Sequence, residues 1–105
     1  MKKKILDLTV TANIQLHANY VLIKMTSQEI LPEMLPGQFA EIRVDGSPTT
    51  FLRRPISINY VDKVNNEVWF LVQIVGDGTR TLAKVSTGDI VNLVLPLGNG
   101  FTIPE

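Results

Sequence analysis

Apolar and polar residues alternate along most of this chain, in short runs that are separated by turn-forming residues. In "QFAEIRV", residues 38–44, Ala40, Ile42 and Val44 fall on one face of an extended chain, opposite Glu41 and Arg43. Runs of this kind, rich in β-branched and aromatic residues, are typical of strands. The pattern therefore predicts an all-β protein.

Six strands and one short helix are predicted. The strands cover Ile5–Leu16, Tyr20–Met25, Gln38–Val44, Pro55–Tyr60, Glu67–Ile74 and Ile90–Leu95. The helix falls in "GTRTLAKV", with Thr79 as its N-cap, Leu82 and Val85 on one face, and Gly88 beyond its end. An open six-stranded sheet would leave two edges and one apolar face uncovered. We therefore expect a six-stranded antiparallel Greek-key barrel.

Glycine and proline mark the predicted turns and the end of the chain. Pro36-Gly37 and "VDGSPTT", residues 44–50, provide turns on either side of the third strand. The final "LVLPLGNGFTIPE" passes from a strand into proline and glycine and stops without a closing element. Residues 1–105 are therefore expected to be one domain, and an N-terminal fragment of a longer subunit.

Charge and cysteine content narrow the range of functions. Ten basic residues balance ten acidic ones, so bulk charge favours neither nucleic acid nor an anionic membrane as a partner. No segment is long enough for a membrane span, and the absence of cysteine excludes cysteine-ligated metal centres within this chain. His17 is the only histidine, and no acidic pair suggests acid–base catalysis. The sequence predicts no catalytic residue, no metal site and a cytoplasmic location.

The stretch "RRPIS", residues 53–57, breaks the barrel pattern. Arg54 offers five fixed donors suited to a phosphate or carboxylate, and Ser57 can give or accept a hydrogen bond. Pro55 removes a backbone donor and is expected to free its strand edge from ladder pairing. The alternative is that Arg53 and Arg54 are ordinary surface residues beside a proline at a sheet edge. The residues alone leave both interpretations open.

A second break is "IVGDGTRTL", residues 74–82. Gly76 and Gly78 would let the backbone approach a ligand closely, and a helix starting at Thr79 would point free N–H groups at an anion. The stretch matches neither the phosphate loop that ends in Gly-Lys-Ser/Thr nor the complete dinucleotide fingerprint. The alternative, a turn followed by a capped helical turn, therefore stays open.

Taken together and in this order, "RRPIS", "VWFLVQI", "GDGTRTL" and "LPLGNGF" resemble the flavin-binding domain of the ferredoxin–NADP reductase superfamily, over essentially the whole chain. Within it, the pattern is most similar to the electron-transfer subunits of bacterial dihydroorotate dehydrogenase. The superfamily motif is typically an arginine, any residue, an aromatic and a serine. Here Ile56 replaces the aromatic, as in the dihydroorotate dehydrogenase subunits.

The resemblance implies an FAD site formed by both motifs. Arg54 would contact the pyrophosphate, Ile56 would lie beside the flavin ring, and Ser57 would approach the N5 edge of that ring. The other residues implied in cofactor binding are Pro55, Leu71, Val72, Gln73, Gly76, Gly78 and Thr79. Arg53 receives no role from the resemblance, and both an outer-surface position and a partner contact are possible for it.

The resemblance also implies electron transfer between a nicotinamide cofactor, FAD and an iron–sulfur cluster. The NAD(P) and cluster sites would lie in a part of the subunit that this chain lacks, and the partner would be a catalytic dihydroorotate dehydrogenase subunit of pyrimidine biosynthesis. A glutamate-synthase-linked or sulfide-linked reductase subunit remains an alternative. So does a cofactor-free small barrel that binds proteins or single-stranded nucleic acid, although zero net charge and few aromatic residues speak against nucleic acid.

Overall fold

Six antiparallel strands close into a barrel in the computed structural model, which describes residues 4–44 and 53–98. The strands are β1 (Lys4–His17), β2 (Tyr20–Thr26), β3 (Phe39–Ile42), β4 (Arg54–Asp62), β5 (Glu67–Gln73) and β6 (Ile90–Leu97). A helix, α1 (Asp77–Leu82), lies between β5 and β6 in the chain. Around the barrel the order is β1-β2-β5-β4-β3-β6, and β6 pairs back with β1. The predicted six-stranded antiparallel barrel with one short helix is confirmed.

The predicted strands are all present, with boundaries that differ by a few residues. The third is shorter than predicted and runs from Phe39 to Ile42, and Gln38, directly before it, is buried with its side chain hydrogen-bonded within the chain. Its Oε1 accepts the N–H of Leu35 at 2.8 Å, and its Nε2 donates to the carbonyl of Gly98 at 3.0 Å. Most of the predicted turn at residues 44–50, and the end of the chain after Gly98, lie outside the described residues.

The barrel interior is filled by the inward-facing residues of all six strands. Ala40, Ile42 and Val44 are buried as the alternation in residues 38–44 predicts, and Phe70 is the largest fully buried side chain among the described residues. Full burial of such an apolar side chain contributes about 1.5–3 kcal/mol. Leu82 of α1 belongs to the same buried cluster, so the helix packs against the barrel core.

The start of α1 differs from the prediction. Its N-cap is Gly76, and Thr79 occupies the third helical position, so the prediction that Thr79 is the N-cap is wrong. The Thr79 hydroxyl reaches back to accept the N–H groups of Val75 at 2.9 Å and Gly76 at 3.1 Å. The hydroxyl thus satisfies two N–H groups that precede the helix. The helix begins at Asp77, earlier than it would with Thr79 as its N-cap. It also ends at Leu82, which leaves Val85 beyond the helix.

The other end of α1 is tied to the barrel by Asn13 of β1. The Asn13 Nδ2 donates to the carbonyl of Ala83 at 2.9 Å and to the carbonyl of Val85 at 2.7 Å. Ala83 is the C-cap of the helix, so these bonds satisfy carbonyl groups that a helix end leaves without partners. Hydrogen bonds from β1 therefore stabilise the end of this helix, which has only six residues.

Candidate functional site

Strands β4 and β5 are paired along only part of their length. Their register runs from Asp62↔Glu67 to Ile58↔Phe70, with an irregularity between Ile58 and Tyr60. Beyond this pair, residues 54–57 are in register with β3, and residues 71–73 are in register with β2. The two segments therefore share no register with each other, although they lie in neighbouring strands.

A groove of about 310 Å³ lies where the two strands part. Its lining residues are Arg54, Pro55, Ile56, Ser57, Leu71, Gln73, Val75 and Thr79. This volume is near the lower end of the roughly 300–1,000 Å³ of small-molecule sites. The groove brings residues 54–57 of "RRPIS" together with residues 71–79, which belong to β5 and to the glycine–threonine turn that follows it.

Three of the residues implied by the resemblance do not line the groove. Val72 is fully buried in the core, because the alternation of β5 turns it inward between Leu71 and Gln73. It can contact a ligand in the groove only through its backbone. Gly76 is the N-cap of α1 and Gly78 is buried within the helix, so both shape the turn behind the groove.

Val75 lines the groove but was not identified from the sequence. It follows β5, and its side chain is 70% exposed. The signal in the sequence is an apolar residue placed directly before the glycine turn. Together with Leu71, it gives the groove an apolar surface.

The two adjacent arginines differ in their contacts. Arg54 is exposed and lines the groove, and its side chain makes no hydrogen bond or ion pair with any residue between 4–44 and 53–98. Arg53 is half-buried and points to the other side of β4. Its Nη1 donates to the carbonyls of Asn92 at 3.1 Å and Glu41 at 3.4 Å, and its Nη2 donates to the Asn92 Oδ1. Among the residues that the structure describes, Arg54 is thus the cation that the groove offers to a ligand.

Pro55 is free of ladder pairing on one side only. The backbone N–H of Ile58 donates to the carbonyl of Gln38 at 2.7 Å, and the carbonyl of Ile58 accepts the N–H of Gly37 at 3.2 Å. The backbone groups of Ile58 therefore face β3. Backbone groups alternate along a strand, and those of Pro55 and Ser57 therefore face β5. Pro55 is in register with Glu41 of β3, where the expectation of a free edge is wrong. Its missing N–H falls on the β5 side, where no residue is in register.

Thr79 lies at the helix end of the groove, and its hydroxyl is engaged by the protein. Besides accepting the two N–H groups, the hydroxyl donates to the carbonyl of Gly76 at 3.1 Å. Thr79 is only 6% exposed. Its hydroxyl therefore fixes the turn from Val75 to Gly76, which brings Val75 to the groove.

The opposite end of the β4–β5 pair has a different surface. Tyr60 and Trp69 are in register and their rings lie 4.7 Å apart, while the Lys24 Nζ lies 3.9 Å from the centre of the Trp69 ring. In the turn that follows, the side chain of Asn65 is the main cause of a lowered pKa of Asp62, and the backbone N–H groups of Asn65 and Val64 lower it further. These contacts occupy the polar groups at this end with partners inside the chain.

Two features are absent from the part of the chain that the structure describes. No group of three or more His, Asp or Glu residues in ranges 4–44 and 53–98 could hold a metal ion. Within the same ranges, no helix has the length and apolar character needed to cross a membrane.

Several solved structures with this fold are named as reductases. The ferredoxin reductase in carbazole 1,9a-dioxygenase superposes with a TM-score of 0.83 at 21% identity, and the match covers 100% of this chain and 33% of that one. Phthalate dioxygenase reductase superposes with a TM-score of 0.79 at 20% identity, over 96% of this chain and 32% of that one. At such identities the likeness defines the fold, which is the barrel of ferredoxin-reductase-like proteins.

The sequence comparison identifies the family. The electron transfer subunit of dihydroorotate dehydrogenase B (NAD(+)) from Fusobacterium nucleatum is 35% identical over 100 residues, which are 95% of this chain and 39% of the relative. The chain belongs to the family of these electron transfer subunits, and it spans about two fifths of the length of this relative. A scan against models of known protein families finds no match.

Proposed function

We propose that this chain is the FAD-binding domain of an electron transfer subunit of dihydroorotate dehydrogenase. The observation that carries the proposal is the groove between the parted segments of β4 and β5. It brings together Arg54, Ile56 and Ser57 with Leu71 and Thr79, which the resemblance assigned to one cofactor site. Membership of the family supports the choice of cofactor and of partner.

The chemistry of the groove fits a dinucleotide. Arg54 supplies a permanent positive charge with several donors and has no described protein partner, as a contact to a pyrophosphate requires. Leu71 and Val75 supply apolar surface for a flat ring, and Ser57 supplies an exposed hydroxyl. A Cβ placed on Gly76 would meet no atom of the protein within 4 Å. The fold therefore does not require a glycine there, whereas a closely approaching ligand would.

Bound FAD would accept a hydride and pass electrons on, and the residues of this chain would hold and orient it. Arg54 would neutralise the phosphates. Ser57 would hydrogen-bond the edge of the ring system, and Leu71 would exclude water from one side of it. Since a six-residue helix has only a weak dipole, we assign the phosphate contact mainly to Arg54 and give Thr79 the role of shaping the turn.

The other steps of electron transfer are assigned to the rest of a longer subunit. The chain covers 39% of its Fusobacterium relative, whose name specifies NAD(+). We propose that the nicotinamide site and an iron–sulfur cluster lie outside these 105 residues and that a catalytic dihydroorotate dehydrogenase subunit receives the electrons in the cytoplasm. On this view the chain is part of a flavin-dependent oxidoreductase, and by itself does not oxidise NAD(P)H.

A titration of the chain with FAD, followed by flavin fluorescence, tests the proposal. We expect saturable binding, tighter for FAD than for FMN because Arg54 would contact a pyrophosphate. We expect Arg54→Ala to weaken FAD by about 1.5–3 kcal/mol, or roughly 10- to 150-fold, through loss of a charge-assisted contact. Lys63→Ala is the matched control, because Lys63 is an exposed cation paired with Glu33 beyond the far end of β4.

The same titration distinguishes the alternatives. A cofactor-free interaction module would bind neither flavin, and equal affinities for FAD and FMN would remove the pyrophosphate from the proposal. An Arg54→Ala variant that binds FAD as the unaltered chain does would show that the phosphate contact lies elsewhere.

A further inference from the structure

Arg53 and Asn92 form a fixed contact directly beside the start of β4. The guanidinium of Arg53 donates to both the carbonyl and the side-chain oxygen of Asn92, which lies on β6. It also donates to the carbonyl of Glu41 on β3, at 3.4 Å. A planar guanidinium suits this task, because its donors have a fixed geometry and can contact several acceptors at once.

Asn92 connects this contact to a further strand. Its backbone carbonyl also accepts the N–H of Arg43 at 2.9 Å, and its Nδ2 donates to the Asp7 Oδ1 at 2.8 Å. Asp7 and Asn92 are in register in the β1–β6 pair. The side chains of Arg53, Asn92 and Asp7 therefore form a chain of hydrogen bonds from the entrance of β4 across β6 to β1.

The contact holds the backbone immediately before Arg54. Arg54 is the first residue of β4 and is in register with Ile42, the last residue of β3. On the β5 side residues 54–57 have no register partner, so the entrance of β4 is held by β3 and by Arg53. Releasing Arg53 would leave the strand end beside the groove supported by β3 alone.

We propose that Arg53 and Asn92 are positioning residues for Arg54. They fix the backbone from which the Arg54 side chain enters the groove, while Arg54 itself stays available for the phosphates of the cofactor. The inference rests on the proposed function for its ligand. It also assigns different tasks to the two adjacent arginines, since one is bound within the protein and the other is kept for the ligand.

The main test is Asn92→Ala, which keeps both arginines and removes the side chain that accepts from Arg53. We expect the dissociation constant for FAD to rise about 3- to 10-fold, as for the loss of one hydrogen bond. In an Arg54→Ala background the same change should leave FAD affinity unaltered, because no Arg54 side chain remains to be positioned. Any loss of thermal stability should appear in both backgrounds.

Arg53→Lys separates position from charge. Lysine keeps the positive charge but cannot reproduce the planar set of donors. We expect it to weaken FAD as Asn92→Ala does. An unchanged affinity in Arg53→Lys would mean that residue 53 acts only through its charge, and would overturn the inference.

Asn66→Ala is the matched structural control. The Asn66 side chain also makes several hydrogen bonds, to Ser27, Glu29 and Leu31, but at the paired end of β4 and β5. It should lower the thermal midpoint and leave FAD affinity unchanged. If it weakens FAD as much as Asn92→Ala does at a similar loss of stability, Asn92 has no positioning role.

Hydrogen exchange of the Arg54 amide without FAD provides a readout that needs no cofactor. We expect faster exchange in Asn92→Ala than in the unaltered chain, with no change in Asn66→Ala. Equal exchange rates at Arg54 would overturn the inference. If the unaltered chain binds FAD but Asn92→Ala binds it equally well, only the inference fails, whereas absence of FAD binding by the unaltered chain overturns the proposed function as well.

Discussion

The two ends of the β4–β5 pair are made of the same two strands and differ in almost every other respect. At one end, the rings of Tyr60 and Trp69 contact each other at a tilt of 51° across the register, and the polar groups have partners within the chain. At the other end the register stops after Ile58↔Phe70, and a groove opens beside Arg54 and Leu71. The wall of a small barrel with a filled interior thus has a groove where the pairing of β4 with β5 ends.

The difference follows from local sequence. A proline cannot donate to a ladder, and Pro55 has its missing N–H on the side where β5 provides no register partner. The glycine turn after β5 and the short α1 then bring Val75 and Thr79 to the same place. The parted end, residues 54–57 and 71–79, is therefore suited to a ligand. The paired end, from Ile58↔Phe70 to Asp62↔Glu67, contributes to the stability of the barrel wall.

Phe70 and Leu71 mark the boundary between the two ends and give the largest contrast. Phe70 is fully buried, so Phe70→Ala should lower the free energy of unfolding by about 3–5 kcal/mol. Leu71 is 39% exposed in the groove, and Leu71→Ala should change stability by at most about 0.5 kcal/mol.

Urea unfolding of both variants measures the stability contrast, and an FAD titration of Leu71→Ala measures the loss of apolar contact. Equal stability losses for the two variants would contradict the boundary drawn between Phe70 and Leu71.

Substitutions of Thr79, which lies at the parted end, are expected to change stability and FAD affinity by an intermediate amount. Thr79→Val keeps the shape and removes the hydroxyl that accepts from Val75 and Gly76, and should cost roughly 0.5–2 kcal/mol of stability, as a lost cap does. Since the hydroxyl fixes the turn that carries Val75, FAD affinity should fall too.

Thr79→Ser retains the hydroxyl and should preserve most of both properties. Thermal unfolding without flavin and the FAD dissociation constant of the two variants provide the measurements. A stability loss in Thr79→Val with unaltered FAD binding would restrict Thr79 to the stability of α1.

The smallest expected effect belongs to the paired end and depends on pH. The pKa of Asp62 is lowered in the fold, mainly by the side chain of Asn65. A carboxylate of this kind adds stability above its unfolded pKa, and the contribution is lost as pH falls through the lower folded pKa. Asn65→Ala should therefore be slightly less stable than the unaltered chain at neutral pH, and the difference should shrink below about pH 4. Unfolding curves at pH 7 and pH 3 check this, and a difference that grows in acid would contradict it.

The strand pattern could be predicted because each strand has one face in a filled core, so that alternation in sequence reports burial directly. The start of α1 could not, because the hydroxyl of Thr79 can act forward as an N-cap or backward as it does here, and the residue type is the same in both cases. The contacts of Arg53 could not be predicted from the sequence either. Its partner Asn92 is 39 residues away, and only the closure of β3 against β6 brings the two together.

The central claim is that the parted end of β4 and β5 binds FAD and the paired end does not. Mapping of amide chemical shifts during an FAD titration tests it most directly, because both ends report in one experiment. We predict saturable shifts at residues 54, 56 and 57 and at residues 71–79, with residues 60–62 and 67–69 nearly unchanged. Shifts that centre on Tyr60 and Trp69, or no saturable shift at any FAD concentration, would contradict the account.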